Sequence, residues 1–141
     1  MTGDDALREA AARALQRAYA PYSGHRVGAA LETPAGRIHT GVNVENASYG
    51  LTLCAERVAL FKAVSEGDRE FRRLAVVSEG VPPLPCGACR QALAEFAPDL
   101  RVLVQGRDGA EERSLSELLP SPFQLEKAGG PAEQPRRGSG A

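Results

Sequence analysis

All three cysteines of the chain sit where a helix is expected to begin, and that placement limits the fold more than any other feature of the sequence. Cys54 opens "CAERVALF", a mostly apolar helical run with Glu56 and Arg57 in its first turn. Cys86 and Cys89 fall in "PCGAC", where Pro85 suits a helix start because a missing N–H costs little there. Charged side chains are expensive to bury unless they are paired or bound to something. A fold that lets the two helix starts meet supplies that partner, since the free N–H groups and the dipole at a helix start favour thiolates.

The other elements follow from local patterns. Leu7, Ala11, Ala14, Leu15 and Ala18 have helical spacing, which predicts a helix over residues 4–20 that Pro21 stops. "RVGAALE" predicts a strand, "TPAGR" a turn, and "IHTGVNV" the returning strand of a hairpin. A helix is expected from Cys54 to about Ser65, with Gly67 suited to its C-terminal cap. "LAVVSEG" (74–80) and "LRVLVQG" read as buried strands. Between them Pro82, Pro83 and Pro85 form a stiff loop, and "CGACRQALAEFA" forms a helix that Pro98 ends. "SLSELL" reads as a short helix capped by Ser114 or Ser116. Strands alternating with helices after a hairpin describe an α/β class, a mixed sheet with helices on its faces. The 141 residues suffice for one domain, expected over 1–125. From Glu126 onward "EKAGGPAEQPRRGSGA" has almost no large apolar side chain, so residues 126–141 read as a disordered tail with Arg136 and Arg137 solvated.

Composition removes several function classes. Net charge is −1, which gives no electrostatic footprint for a nucleic acid, while a small neutral substrate remains open. No apolar run approaches the ~20 residues of a membrane span. The acidic, amphipathic N-terminus is unlike a secretory signal, so a cytoplasmic location is expected. An odd number of cysteines without a signal argues against a disulfide framework.

Two cysteines at C-x-x-C spacing fit either a thioredoxin-type redox pair or a zinc site. Cys54 at a second helix start favours zinc, held by three sulfurs with the fourth position free for water. His25 and His39 lie outside the spacing that would close that position. Glu56 lies roughly 200° around a regular helix from Cys54, yet both can converge on an object beyond the helix end. A carboxylate beside a metal that lowers the pKa of water toward ~7 suits a hydrolytic reaction. Zinc with three thiolates carries a formal charge of −1, and the Arg57 guanidinium can hydrogen-bond a thiolate and offset it. Competing readings are three inert core cysteines, or Glu56 and Arg57 as plain surface charges. The combination favours a zinc hydrolase.

C-x-E followed by P-C-x-x-C is the zinc-deaminase signature. With "PYSGHRVGAAL", "GVNVENASYGLTLCAERVALFKAVSEG", "PCGACRQALAEF" and "LLPSPF", the chain resembles the short, three-cysteine cytidine deaminases across most of residues 21–123. The resemblance implies a three-layer α-β-α fold around a mixed five-stranded sheet. It implies one Zn2+ per chain on Cys54, Cys86 and Cys89, and Glu56 as the proton shuttle. Asn43 and Glu45 would bind ribose hydroxyls, and the backbone of Ala55 the pyrimidine carbonyl. Tyr49 and Phe123 match positions that approach a neighbouring subunit's site, Phe123 against the base, in a homotetramer with shared active sites. His25 stands where the family usually has a phenylalanine that packs on the base. An imidazole can still stack, with less apolar area and a titratable nitrogen, although a plain surface histidine is also consistent.

The implied activity is hydrolytic deamination of cytidine and deoxycytidine to uridine and deoxyuridine in pyrimidine salvage. A free nucleoside needs no base flipping, in keeping with the lack of a basic groove. The alternatives are a related zinc deaminase of a nucleoside antibiotic such as blasticidin S, and a non-enzymatic structural-zinc domain.

Overall fold

Thr2 starts the first helix, α1 (Gly3–Leu15), in a reciprocal cap. Its hydroxyl accepts from the Asp5 N–H at 3.1 Å, and the Asp5 carboxylate accepts from the Thr2 N–H at 3.4 Å. The computed structural model describes residues 2–128. α1 ends five residues earlier than the helical spacing predicts. Tyr19 forms an extended bridge to Val44 instead, with Tyr19 N–H donating to Asn43 O at 3.0 Å and Glu45 N–H to Tyr19 O at 2.9 Å. These long-range hydrogen bonds outweigh the helical spacing of Ala18.

The hairpin forms as expected: β1 (Val27–Glu32) and β2 (Ile38–Val42) pair antiparallel, and Gly36 takes φ +91° in the turn, where other residues would be strained. A 3₁₀ turn at Tyr49–Leu51 leads to α2 (Ala55–Ser65), and Gly67, at φ +101°, follows its C-terminal cap. Next come β3 (Arg73–Ser78), α3 (Gly87–Ala94), β4 (Arg101–Gly106), β5 (Gly109–Ser114) and α4 (Leu115–Leu118), with Ser114 capping α4. The sheet order is β2-β1-β3-β4-β5. Only β3 and β4 run parallel, so the sheet is mixed. β5, "GAEERS", has no apolar run to announce it; backbone pairing with β4 makes it an edge strand.

Alternation along the central strands sorts side chains between two layers. Ala30, Ala75, Val77 and Leu103 pack against Leu7, Ala10, Ala11 and Leu15 of α1. Leu31, Leu74, Val76, Val102 and Val104 turn the other way, onto Leu60 and Ala63 of α2 and Leu93 of α3. Each fully buried leucine contributes about 2 kcal/mol by removal from water. The result is the three-layer α-β-α arrangement. After α4 the described chain runs on past the expected boundary at 125, and Lys127 pairs at 3.6 Å with Glu95, the C-terminal cap of α3. Residues 129–141, including Arg136 and Arg137, lie outside the described residues.

Candidate active site

β2 and its extension aim the site residues. Burial alternates from His39 to Glu45, so His39, Gly41, Asn43 and Glu45 share one face of the sheet, the one under α2. Gly41 touches that helix so closely that a Cβ would lie 2.4 Å from Ala59 N and 2.5 Å from Ala55 O. The first turn of α2 is thereby seated on the sheet with Cys54 as its N-cap. Cys86 is the N-cap of α3, and Cys89 lies buried in the first turn of that helix.

The two helix starts meet. Cys54 Sγ lies 3.8 Å from Cys86 Sγ, which lies 3.6 Å from Cys89 Sγ. All three sulfurs fall within 4.8 Å of one another. Tetrahedral zinc with Zn–S bonds of about 2.3 Å needs sulfurs roughly 3.8 Å apart, so these donors fit that ion. A hydrogen bond from Cys89 holds the Cys54 thiol down to about 5, and the Arg57 guanidinium adds to the effect against its burial. The Cys89 thiol is pushed up by that bond, by burial and by the negative charge of Glu56. Keeping all three as thiolates requires a cation among them.

Glu56 is buried in the first turn of α2 and lines the same cavity as Cys54 and Cys86. Burial pushes its carboxyl up to about 7; the charge of Cys54 also raises it, while Cys89 and Arg57 pull it back. Arg57 Nη2 reaches Cys54 Sγ at 3.7 Å, and that contact raises the arginine pKa. The neighbouring Nε of Arg57 is buried without a hydrogen-bond partner among the described residues.

A cavity of about 290 Å³ opens beside the sulfurs, lined by Ala55, Glu56, His25, Asn43 and Glu45, with Pro83 and Leu84 in its wall. Asn43 Oδ1 accepts from Val27 N–H at 2.9 Å, and Nδ2 donates to His25 O at 2.8 Å. Glu45 Oε1 accepts from the N–H groups of Tyr22 and Ser23 at 2.9 and 3.1 Å, and Oε2 accepts from the Ser23 hydroxyl. The Ser23 hydroxyl and these N–H groups keep the Glu45 carboxyl below its usual range. Both residues hold the loop that carries His25, and each keeps capacity for a ligand: one N–H of Asn43 and lone pairs of Glu45. His25 is exposed and lies over Gly80, where a Cβ would come 3.3 Å from its Cε1.

The structure thus gathers Cys54, Cys86, Cys89, Ala55, Glu56, Arg57, Asn43, Glu45 and His25. It leaves two of the expected residues apart. Tyr49 is 68% exposed and meets Tyr22 edge-on at 6.0 Å, and Phe123 is 69% exposed; neither lines the cavity. His39 is not at the site: its ring nitrogens lie 2.7 Å from Asp68 and 3.1 Å from Glu66, behind the far end of α2. Sequence reasoning missed Ser23, which anchors Glu45, and the role of the proline loop as a cavity wall. The stiffness of Pro82, Pro83 and Pro85 was the available signal for the second.

The family model of the cytidine and deoxycytidylate deaminase zinc-binding region matches residues 1–105. The chain belongs to that family. Among relatives of this deaminase, a cytidine deaminase of Halalkalibacterium halodurans is 50% identical over 123 residues, covering 85% of this chain and 93% of the relative. The crystal structure of cytidine deaminase from Burkholderia pseudomallei superposes with a TM-score of 0.82 at 50% identity, over 87% of this chain and 100% of the other. A blasticidin-S deaminase of Bacillus cereus is more distant, 34% identical over 105 residues, covering 68% of this chain and 75% of that protein. The zinc-deaminase motifs of the chain, C-x-E and P-C-x-x-C, are the segments that bring the sulfurs and Glu56 together.

Proposed function

We propose that the protein is a zinc-dependent cytidine deaminase that converts cytidine and deoxycytidine to uridine and deoxyuridine with release of ammonia. The observation that carries this reading is the three-sulfur cluster with the buried Glu56 carboxyl on the same cavity, in a chain 50% identical to a cytidine deaminase. Cys54, Cys86 and Cys89 hold the metal, one ion per chain. When bound, zinc supplies Lewis acidity that brings the pKa of water toward ~7. Glu56 accepts a proton from the attacking water and delivers it to N3 of the ring as the water oxygen bonds to C4. It then passes the second proton to the amino nitrogen, the C4–N4 bond breaks, and ammonia leaves. The buried position of Glu56 keeps those protons from bulk water.

Asn43 and Glu45 grip the ribose hydroxyls as donor and acceptor. An N–H at the start of α2, around Ala55, meets the pyrimidine carbonyl. His25 forms the cavity wall beside the base. Arg57 offsets the charge of the thiolates. The exposed rings of Tyr49 and Phe123 support a reading in which they serve the site of another subunit, in a homotetramer. The place of the enzyme is pyrimidine salvage in the cytoplasm; among the described residues no helix is long and apolar enough to cross a membrane. Residues 1–125 form the catalytic domain, and 126–141 a tail that activity does not need.

Incubation with cytidine, followed by the loss of its absorbance and the appearance of uridine, tests the assignment. Cytidine is expected to turn over far faster than blasticidin S. An enzyme that deaminates the antibiotic and leaves cytidine untouched contradicts the substrate reading.

A further inference from the structure

α3 does more than carry two cysteines: it holds the chain that follows α4. Arg90 Nη1 donates to Leu118 O at 2.9 Å. One residue later, the Gln91 side chain makes two hydrogen bonds to a single partner. Its Nε2 donates to Phe123 O at 2.9 Å, and its Oε1 accepts from Phe123 N–H at 3.1 Å. The amide acts as the missing strand for one residue and pins the Phe123 main chain to the helix that bears Cys86 and Cys89. The ring is treated differently from the backbone. It is 69% exposed and takes no part in the cavity of its own chain. A fixed backbone under an exposed aromatic ring describes a group aimed outward, and ordering it beforehand lowers the entropy cost of any contact it makes.

We propose that Gln91 is a positioning residue that holds Phe123 so that its ring covers the nucleoside cavity of a second copy of this chain. The inference rests on the shared-site reading above and adds the residue that makes the sharing geometrically defined. Gln91 touches neither substrate nor metal in this account; it acts through Phe123.

The test compares Gln91→Ala and Phe123→Ala with the unmodified enzyme on cytidine. Both are expected to raise KM by about 3- to 10-fold, the size of one lost aromatic contact. In Gln91→Ala, kcat is expected to stay within about twofold, with zinc content and oligomeric state unchanged. Gln91→Glu, which keeps the acceptor for Phe123 N–H and loses the donor, is expected to fall between, and it serves if the alanine variant folds poorly. Co-expression of Gln91→Ala with Glu56→Gln chains then reads the direction of the contact. Sites with an intact Glu56 and a well-held Phe123 from the other chain are expected to regain the unmodified KM. A raised KM in Phe123→Ala but not in the Gln91 variants overturns the role of Gln91 and leaves the shared-site reading standing. An unchanged KM in both overturns both. Loss of zinc or of assembly in the Gln91 variants marks a merely structural residue and overturns the inference as well.

Discussion

Two buried carboxylates, Glu32 on β1 and Glu56 on α2, are each more than nine-tenths covered, and the fold treats them in opposite ways. Glu32 is fully paired: Arg73 clasps both oxygens at 2.7 and 2.8 Å, and Arg72 adds a contact at 2.9 Å. Arg73 also bonds Asp4, Asp4 bonds Arg101 at 3.1 Å, and Arg101 reaches Glu112 at 2.9 Å. Guanidinium and carboxylate alternate through the cluster, and Arg73 holds the Glu32 carboxyl below its ordinary value. Among the described residues no arginine clasps Glu56, which takes hydrogen bonds from Cys89 and its own backbone instead. The adjoining Arg57 is turned to Cys54, and burial raises the Glu56 carboxyl to about 7. A carboxylate clasped by arginines ties α1 to the sheet, whereas one that lines a cavity without such a clasp is placed to exchange protons with a ligand. Substitutions at the two sites therefore separate stability from activity.

The largest effect is expected at Glu56. Glu56→Gln keeps shape and removes proton transfer, so kcat is expected to fall at least ~100-fold while Tm holds or rises, as measured by steady-state kinetics and thermal melting. A variant with normal turnover contradicts the proton-shuttle role. Arg73→Met inverts the pattern. It removes the arginine that bridges Glu32 and Asp4, leaving them only Arg72 and Arg101, and is expected to cost about 3 kcal/mol, roughly 10 °C in Tm, with kcat of the folded fraction preserved. Equal melting of the variant and the unmodified protein breaks the comparison from the other side.

Arg57→Ala sharpens it further, because this arginine serves a sulfur rather than a carboxylate. Zinc affinity is expected to drop about 10- to 100-fold, read by competition with a chelator. Unchanged retention together with unchanged kinetics removes its charge-offsetting role. The smallest effect is that of pH on stability. Asp4 and Glu32 are depressed by arginine hydrogen bonds, and Asp68 is taken to about 2 by Arg37 and then His39. Carboxyls depressed in the folded state stabilise it above their unfolded values and lose that contribution as pH falls through the folded ones. Tm is expected to decline below roughly pH 4.5 and to keep falling toward 2. Glu32→Gln should flatten part of that decline, and an unaltered acid limb in that variant argues against the pairing as its source.

The two clusters were unequally legible in the sequence. C-x-E and P-C-x-x-C are local: capping positions and spacing on two helices define them, so the sulfurs and Glu56 were readable before any fold. The Glu32–Arg73–Asp4 cluster joins residues 41 and 69 positions apart, and no periodicity announces it. The same reason hid β5, a polar edge strand made by pairing, and the early end of α1, where Tyr19 follows β2. Asn43 and Glu45 were found by resemblance, while their grip on the Ser23–Val27 loop became visible only with the loop in place. His39 shows the converse. It is a buried histidine that a sequence reader tests as a ligand, yet its partners are Glu66 and Asp68.

Everything distinctive about Glu56 depends on what the three sulfurs hold. X-ray absorption at the zinc edge of the purified protein, with elemental analysis of the same sample, addresses that directly. The account predicts one zinc per chain, with three sulfur neighbours at about 2.3 Å and one lighter atom that exchanges with solvent or ligand. A zinc-free active protein, or a fourth protein ligand closing the coordination sphere, contradicts it.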